Sequence, residues 1–199
     1  MDKSFWDTRY AEKEFAYGTE PNDFLKEVSK NIKPASNILC LAEGEGRNAV
    51  FLAELGHKVT AIDYSESGIK KLNSLAKNRN VNITGICADL NTYTVEENTW
   101  DVIVCIFGHF PAPLRTKILT QMYSGLREKG LFILEAYSKQ QLNYNTGGPQ
   151  SLDLLYSIEE VANNLKDFQN LEIKQKERFI SEGKFHQGLS SVIQVIAGK

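Results

Sequence analysis

The sequence predicts an α/β fold: a doubly wound, mostly parallel seven-stranded sheet with a C-terminal antiparallel hairpin and a helical N-terminal extension. Three observations predict it. Apolar runs of strand length alternate with helical stretches through the middle of the chain, which is the pattern of β/α units. The last two strand-like runs, 171–180 and 189–197, are joined by a connection too short for a crossover helix, so they should pair antiparallel. Finally, about 35 residues of largely helical pattern precede the first predicted strand.

The composition is that of an ordinary globular protein. The chain has 199 residues, of which 42% are hydrophobic and 24% charged, and its net charge is -2. No long basic run is present, so nucleic acid is not the expected partner. No apolar run approaches the length that spans a membrane, and no apolar signal region follows Met1. We therefore expect a cytoplasmic monomer or homodimer with one domain over 1–199, in which 1–35 form a helical cap and 36–199 the core.

The three cysteines are predicted to be buried free thiols. Cys40, Cys87 and Cys105 all fall inside apolar, strand-like runs, and their spacing matches neither a zinc site nor a disulfide framework. We therefore expect no metal site.

The N-terminal extension carries aromatic residues at helical spacing. Ser4 and Asp7 stand in capping-box positions for a first helix. Trp6 and Tyr10 lie one turn apart and so share one face. A second amphipathic helix follows before the first strand. The extension is therefore expected to cover a pocket with aromatic side chains, or to pack against the sheet.

A glycine-containing turn follows the first predicted strand, the apolar run 38–42. Gly44 and Gly46 stand two residues apart, and a helical stretch over 48–55 follows. Glycine tolerates positive φ and removes the Cβ that would block a ligand. The start of the helix then presents free N–H groups to whatever binds above the strand. Such glycine pairs also occur in plain turns, so this motif alone is a weak indication.

The second predicted strand ends in Asp63, nineteen residues after Gly44. An acid at this position lies beside the first loop of a doubly wound sheet, where it can accept hydrogen bonds from both hydroxyls of a ribose. The alternative is a helix N-cap for the helix that begins near Ser65. We expect the carboxylate at a solvent-facing strand end. The loop and the acid together predict a nucleoside cofactor.

Further polar residues come at the ends of the later strands. The elements predicted after Asp63 are a helix over 65–77, strands over 81–88 and 100–107, a helix ending at Lys129–Gly130, and a strand over 131–136. Asp89, His109 and Glu135 follow or end the third, fourth and fifth strands. The long segment 137–156 contains two consecutive glycines and is expected to act as a lid.

Several motifs occur together over nearly the whole length. They are FWDTRY at 5–10, YGTEPNDFL at 17–25, GEGRN at 44–48, VTAID at 59–63, HFP at 109–111, FILE at 132–135, TGGP at 146–149 and HQG at 186–188. In this combination the chain resembles class I S-adenosylmethionine-dependent methyltransferases of the tellurite-resistance type, and more distantly thiopurine methyltransferase. The resemblance implies a Rossmann-like core, S-adenosyl-L-methionine as cofactor with S-adenosyl-L-homocysteine as product, and a small-molecule acceptor such as a thiol or a selenite or tellurite oxyanion.

The sequence departs from this family in the glycine loop. The family usually has an acidic residue at the position of Cys40 and glycine at that of Ala42, whereas here Glu43 stands nearer the loop. The resemblance implies that this acid helps to order the loop or the amino-acid end of the cofactor. Glu43 then takes over part of that role, or cofactor affinity is weaker. At the limit, the protein binds the cofactor without turnover. A nicotinamide-dependent oxidoreductase is also open, since the glycine loop followed by Asp63 fits its fingerprint, although the terminal hairpin argues against it.

The resemblance also assigns roles to individual residues. It implies ribose binding by Asp63, adenine contacts by Asp89 and Leu90, and aromatic cover for the cationic sulfonium. The predicted cofactor-binding residues are Trp6, Arg9, Tyr10, Tyr17, Glu43, Gly44, Gly46, Arg47, Asn48, Asp63, Tyr64, Ser65, Asp89, Leu90 and Phe107.

Three residues are predicted to act in catalysis: His109, Glu135 and Tyr17. His109 follows the fourth strand, where the acceptor is expected, and a neutral base with a pKa near the working pH suits proton removal. A structural loop histidine is the alternative. Glu135 is expected to line the acceptor site or to pair with Arg115. His186 is a further candidate for a lid or for packing in the hairpin.

Overall fold

The computed structural model describes residues 2–199 and contains one seven-stranded mixed sheet. Its strands are β1 (Asn37–Leu41), β2 (Lys58–Asp63), β3 (Ile83–Cys87), β4 (Trp100–Ile106), β5 (Leu126–Tyr137), β6 (Asn170–Glu182) and β7 (His186–Gly198). Their order in the sheet is β3-β2-β1-β4-β5-β7-β6. The first five strands pair in parallel, and β7 is antiparallel to both β5 and β6. The predicted fold is confirmed. Because the strand order reverses at β1 and β4, the carboxyl ends of these strands form a ligand-binding crevice.

Helices cover both faces of the sheet. They are α1 (Lys3–Tyr10), α2 (Asp23–Val28), α3 (Arg47–Glu54), α4 (Glu66–Asn78), α5 (Ala112–Gly125) and α6 (Ile158–Asn164). Alternate residues of β1 point to opposite faces: Ile38 and Cys40 pack with α2, α3 and α4, whereas Leu39 and Leu41 pack with α5 and α6. This period of two explains why the central strands read as continuous apolar runs.

Two predicted helix boundaries are wrong. The first helix is capped by Asp2, whose Oδ1 accepts a hydrogen bond of 2.9 Å from the N–H of Phe5, rather than by Ser4. The fifth helix ends at Gly125 rather than at Lys129–Gly130. It ends early because Leu126 already pairs with a residue of β4 and is drawn into the sheet.

The cysteine prediction holds for two of the three residues. Cys40 and Cys105 are buried free thiols, whereas Cys87 is a free thiol at an exposed strand end. Within residues 2–199, no group of three or more His, Cys, Asp or Glu side chains is arranged to hold a metal ion. No helix in this part of the chain combines the length and apolar character needed to cross a membrane.

Candidate active site

A cavity of about 620 Å³ lies at the carboxyl ends of the parallel strands. Its volume falls in the range of small-molecule sites, roughly 300–1,000 Å³. It is lined by thirteen of the predicted site residues: Trp6, Arg9, Tyr10, Tyr17, Glu43, Arg47, Asn48, Asp63, Tyr64, Asp89, Leu90, Phe107 and His109. The remaining four, Gly44, Gly46, Ser65 and Glu135, do not line it. The sequence therefore located most of the cavity, although some roles differ from those expected.

Glu43 organises the loop between β1 and α3. Its Oε1 accepts hydrogen bonds from the backbone N–H groups of Asn48 and Ala49, at 2.9 and 2.8 Å. These N–H groups belong to the first turn of α3, and N–H groups in the first turn of a helix have no acceptor within the helix. Burial raises the pKa of the Glu43 carboxyl to about 7, against the opposing effect of the two N–H donors. Of the two roles left open by the sequence, ordering of the loop is the one that this geometry supports.

The two loop glycines serve close packing of neighbouring elements. Gly44 and Gly46 have φ of 63° and 92°, which L side chains rarely adopt. A Cβ on Gly44 would lie 2.7 Å from the hydroxyl oxygen of Tyr10, and one on Gly46 would lie 2.6 Å from Cγ of Leu72. The glycines thus let α1 and α4 approach the loop.

Asp63 ties the glycine loop to the start of α4. One carboxylate oxygen accepts from the N–H of Gly44 and the other from the N–H of Ser65, both at 2.9 Å. The side chain is 6% exposed, so the expected solvent-facing position is wrong. Burial raises the pKa of Asp63 above its usual value. The backbone N–H of Tyr64 also bonds to this carboxylate. Because a carboxylate has about four acceptor sites, Asp63 can still accept from a ligand in the cavity.

Ser65 has a structural role beside the cavity. Its hydroxyl oxygen accepts from the N–H of Gly68 as the N-cap of α4, and the hydroxyl donates to Asp7 at 2.7 Å. The pairing with Asp7 fastens α1 to α4. The helix cap that the sequence offered as an alternative for Asp63 is therefore supplied by Ser65.

Aromatic side chains and one arginine form the wall contributed by the N-terminal extension. Trp6 stacks on Tyr10, with ring centroids 5.4 Å apart. Arg9 donates to the hydroxyl oxygen of Tyr17 at 2.8 Å, and its guanidinium carbon lies 4.2 Å from the ring centroid of Phe185. Within residues 2–199, no carboxylate forms a salt bridge with Arg9. Phe185 was not predicted, because it comes from the turn between β6 and β7.

His109 lies at the far end of the cavity. Its Nδ1 is 2.9 Å from the carbonyl oxygen of Leu154, and its Nε2 is buried without a hydrogen-bond partner among residues 2–199. The ring stacks on Tyr137, with centroids 5.4 Å apart and an interplanar angle of 17°. Burial lowers the pKa of His109 to about 3. The expectation of a pKa near the working pH is therefore wrong, and the imidazole is neutral.

Glu135 does not occupy the position expected of an acceptor-site residue. It is fully buried and outside the cavity lining, and its carboxylate accepts from Arg178 at 2.5 Å and from the side-chain amide of Asn22 at 2.8 Å. The expected pairing with Arg115 is also wrong, because Arg115 pairs with Glu160 at 2.7 Å. Glu135 is instead part of a buried ion network.

This ion network joins the glycine loop to the C-terminal hairpin. Arg178 also contacts Glu182 at 3.1 Å, and Glu182 accepts from Arg47 of the loop at 2.6 Å. His186 lies 3.8 Å from Glu182, and burial lowers its pKa. The network holds α3, β5 and the hairpin together beneath the cavity.

The remaining wall comes from two segments that carry the TGGP and HFP motifs of the sequence. The predicted lid segment contributes Gly147, Gly148 and Pro149, and the turn after β4 contributes Phe110 and Pro111. A Cβ on Gly148 would lie 2.7 Å from the ring of Tyr137, so only glycine allows this close cover. The segment thus lies over the end of the cavity that contains His109.

The chain matches a known family over its central region. Residues 38–130 match the family described as methyltransferase domain. The probable S-adenosyl-L-methionine-dependent methyltransferase TehB of Haemophilus influenzae is 37% identical over 78 residues, which are 39% of this chain and 27% of the relative. The chain thus aligns with about a quarter of the length of the curated relatives it matches.

Solved structures extend the similarity in fold over almost the whole chain. The crystal structure of TehB from Haemophilus influenzae has a TM-score of 0.74 at 21% identity, covering 99% of this chain and 66% of that one. A structure described under the conversion of a disulfide bond into a thioacetal group during echinomycin biosynthesis has a TM-score of 0.75 at 16% identity, covering 98% and 90%. Magnesium protoporphyrin IX methyltransferase from Synechocystis PCC 6803 with bound S-adenosylmethionine has a TM-score of 0.61 at 16% identity, covering 98% and 78%. The predicted resemblance to class I methyltransferases of the TehB type is confirmed, and the comparisons support S-adenosylmethionine as cofactor.

Proposed function

Because the chain has the class I S-adenosylmethionine-dependent methyltransferase fold and carries the matched methyltransferase domain over residues 38–130, we propose that it transfers a methyl group from S-adenosylmethionine to a small-molecule acceptor. The observation that carries the proposal is the cavity at the crevice between β1 and β4, where acids and aromatic faces meet. The acceptor atom is a soft nucleophile, as in a thiol or a selenite or tellurite oxyanion.

The residues of the cavity fit this cofactor. Bound S-adenosylmethionine supplies a methyl group activated by a positively charged sulfur. Glu43 and the aromatic faces of Trp6 and Tyr17 suit positive charge, since aromatic rings attract cations by about 0.5–2 kcal/mol. The remaining acceptor capacity of Asp63 suits a ribose hydroxyl. Arg9 has no carboxylate partner within residues 2–199 and suits the carboxylate of the amino-acid part.

The adenine is assigned to the end of β3. Asp89 and Leu90 line the cavity there, and one oxygen of Asp89 is occupied by the backbone and side-chain amides of Asn91, at 2.8 and 3.0 Å. The second oxygen of this carboxylate is available to the exocyclic amino group of the base. This assignment follows the family resemblance.

The acceptor is assigned to the end of the cavity near His109 and the glycines of the lid. Methyl transfer from a sulfonium is an in-line displacement, so the main task of the protein is to align the acceptor and to exclude water. Phe107, Phe110 and the lid provide an apolar enclosure for that purpose. A soft acceptor agrees with the disulfide-to-thioacetal conversion described for one structural relative and with the name TehB of another.

Ligand binding tests the proposal directly. We expect S-adenosylmethionine and S-adenosylhomocysteine to bind in calorimetry and to raise the melting temperature, because ligands that bind only the folded state stabilise it. Tight binding of NAD with no binding of either ligand would favour the oxidoreductase alternative. Binding of S-adenosylmethionine without single-turnover transfer to a thiol, selenite or tellurite would indicate a protein that binds the cofactor without turnover.

A further inference from the structure

The turn between β6 and β7 lies against the N-terminal extension. The backbone N–H of Lys184 donates to the carbonyl oxygen of Ala16 at 3.0 Å. Gly183 has a φ of 66°, and a Cβ added there would lie 2.4 Å from the backbone of Tyr17. The ring of Phe185 adds a side-chain contact, since its centroid lies 6.1 Å from that of Tyr17. The turn and the extension are therefore packed backbone against backbone.

The other side of the same turn lies against the lid. The N–H of Gln187 donates to the carbonyl oxygen of Thr146 at 3.1 Å, and the hydroxyl of Thr146 donates to the carbonyl oxygen of Leu189 at 2.7 Å. A Cβ on Gly147 would lie 2.5 Å from the carbonyl oxygen of Phe185. The part of the lid that covers the cavity is thus fastened to the turn and to the start of β7.

A buried glutamine strengthens the attachment of the lid. Gln141 is fully buried, and its side-chain amide donates to the hydroxyl oxygen of Thr146 and to the carbonyl oxygen of Gly147, both at 3.1 Å. Its side-chain carbonyl oxygen accepts from the N–H of Ser191 at 2.8 Å. One side chain therefore joins the tip of the lid to β7, the strand that follows the turn.

The extension is also fastened to the glycine loop. Glu45 of that loop is buried, and its carboxylate accepts from the N–H of Ala16 at 2.8 Å and from Lys71 at 2.7 Å. Ala16 thus bonds to the glycine loop through its N–H and to the β6–β7 turn through its carbonyl oxygen. A continuous series of contacts therefore runs from the glycine loop through the extension and the turn to the lid.

Contacts this close transmit a displacement, because packed groups have little free space between them. If the extension moves away from the sheet, the N–H of Lys184 loses its acceptor and the turn loses the surface that Gly183 touches. The turn then no longer supports the contacts of Thr146 and Gly147. Segments that share their hydrogen bonds in this way open as one cooperative unit.

We infer that the β6–β7 turn couples the two covers of the cavity, so that closure of the extension on bound S-adenosylmethionine also holds the lid closed over the acceptor end. This inference rests on the proposed function and adds a means of regulating the same site. Because coupling between two binding sites is reciprocal, an acceptor bound under the lid tightens binding of the cofactor by the same factor. A lid that moves independently of the extension would show neither effect.

Hydrogen exchange measured by mass spectrometry tests the coupling, with S-adenosylhomocysteine as the probe. At a concentration that calorimetry shows to be saturating, we expect the probe to slow exchange over 11–20 and over 144–150, each by about fivefold or more. In Gly183→Ala the new Cβ forces the turn away from the extension, at a position outside the cavity lining. The slowing over 144–150 should then fall below about twofold.

Gly56→Ala is the matched control for Gly183→Ala. Gly56 also has a positive φ, of 87°, but a Cβ there would meet no atom of residues 2–199 within 4 Å. The substitution therefore imposes similar backbone strain without affecting the turn. Exchange over 144–150 in Gly56→Ala should respond to the probe as in the wild type.

Thr146→Val interrupts the contacts on the lid side of the turn with little change in side-chain shape. Valine can neither donate to the carbonyl oxygen of Leu189 nor accept from Gln141. We expect the probe to slow exchange over 11–20 as in the wild type, but exchange over 144–150 by less than about twofold. Thr120→Val is the control, because the hydroxyl of Thr120 also donates to backbone carbonyl oxygens, at 3.0 Å, on an exposed part of α5.

The result that would overturn the inference is full slowing over 144–150 in either folded variant, since the probe would then protect the lid without the turn. Unchanged exchange over 144–150 in the saturated wild type would also overturn it. If circular dichroism shows that Gly183→Ala is unfolded, Thr146→Val alone decides. These outcomes leave the proposed function standing, whereas failure of the wild type to bind S-adenosylmethionine and S-adenosylhomocysteine would overturn the proposed function and the inference with it.

Discussion

Replacing Glu43 by Gln should stabilise the ligand-free protein at high pH while weakening cofactor binding. Burial raises the pKa of this carboxyl from 4.5 to about 7. Between these values the folded protein retains a proton that the unfolded chain has released. The stability contribution of Glu43 is therefore fully present below pH 4.5 and is lost as pH rises through 7. At about 1.4 kcal/mol per pH unit, the loss approaches about 3 kcal/mol above pH 8.

The substitution isolates this charge. A Gln oxygen can accept from the same N–H groups of Asn48 and Ala49, so the loop should keep its hydrogen bonds. We expect Glu43→Gln to match the wild type in urea unfolding at pH 4.5 and to exceed it by up to about 3 kcal/mol at pH 8. Its affinity for the cationic cofactor should fall at pH 8, because the ionised carboxylate is absent. Glu97→Gln, at an exposed turn, is the control for the substitution itself.

A stability difference between Glu43→Gln and the wild type that stays constant from pH 4.5 to 8 would refute this reasoning. It would mean that Glu43 is ionised to the same extent in the folded and unfolded states. A variant that is less stable than the wild type at every pH would show that hydrogen bonding to α3 outweighs desolvation.

Three further predictions concern the walls of the cavity. Asp63→Asn should cost about 1.5–3 kcal/mol in urea unfolding as well as cofactor affinity, because one backbone N–H loses its charged partner; a loss confined to affinity would contradict the structural role. Ala42 has a φ of 51°, so Ala42→Gly should relieve about 1–2 kcal/mol of backbone strain, against about 0.5–1 kcal/mol for the greater loss of chain entropy that glycine brings on folding. The melting temperature of Ala42→Gly should therefore rise. In the control Ala88→Gly, at a position without positive φ, it should fall. In Gly147→Ala the new Cβ would lie 2.5 Å from a backbone oxygen, so turnover should fall while cofactor affinity stays unchanged. Cofactor plus product should slow hydrogen exchange over 137–156 only in the wild type. Equal slowing in the variant and the wild type would argue against a lid.

The sheet and the cofactor end of the cavity were predictable because their signals are local. The alternation of β/α units fixes a parallel sheet, and a parallel sheet brings the ends of its strands to one edge. Asp63 and Asp89 could therefore be placed from the strand ends alone, as could the antiparallel hairpin from its short connection. The exposed fraction of Asp63 was not predictable in this way, since it depends on how α1 and α4 close over the loop.

The acceptor end was less predictable because its partners are distant in sequence or belong to the backbone. Glu135 is separated from Arg178 by 43 positions and from Asn22 by 113, and neither pairing has a sequence motif. Which nitrogen of His109 carries the proton depends on the carbonyl of Leu154, which any residue at that position would supply. The early end of α5 was missed because strand pairing of Leu126 overrode a later helix-stop signal.

The buried ion network also limits how this sequence can change. Arg47, Glu182, Arg178 and Glu135 satisfy one another, and removal of one partner from a buried pair costs about 3–5 kcal/mol. A single substitution therefore leaves an uncompensated charge, while replacement of an Arg together with its Glu removes both charges. Such positions should change jointly among descendants of this chain. The glycine loop and the hairpin, although separated by more than a hundred residues, are thus expected to be inherited as one unit, and chimeras that exchange only one of them should fold poorly.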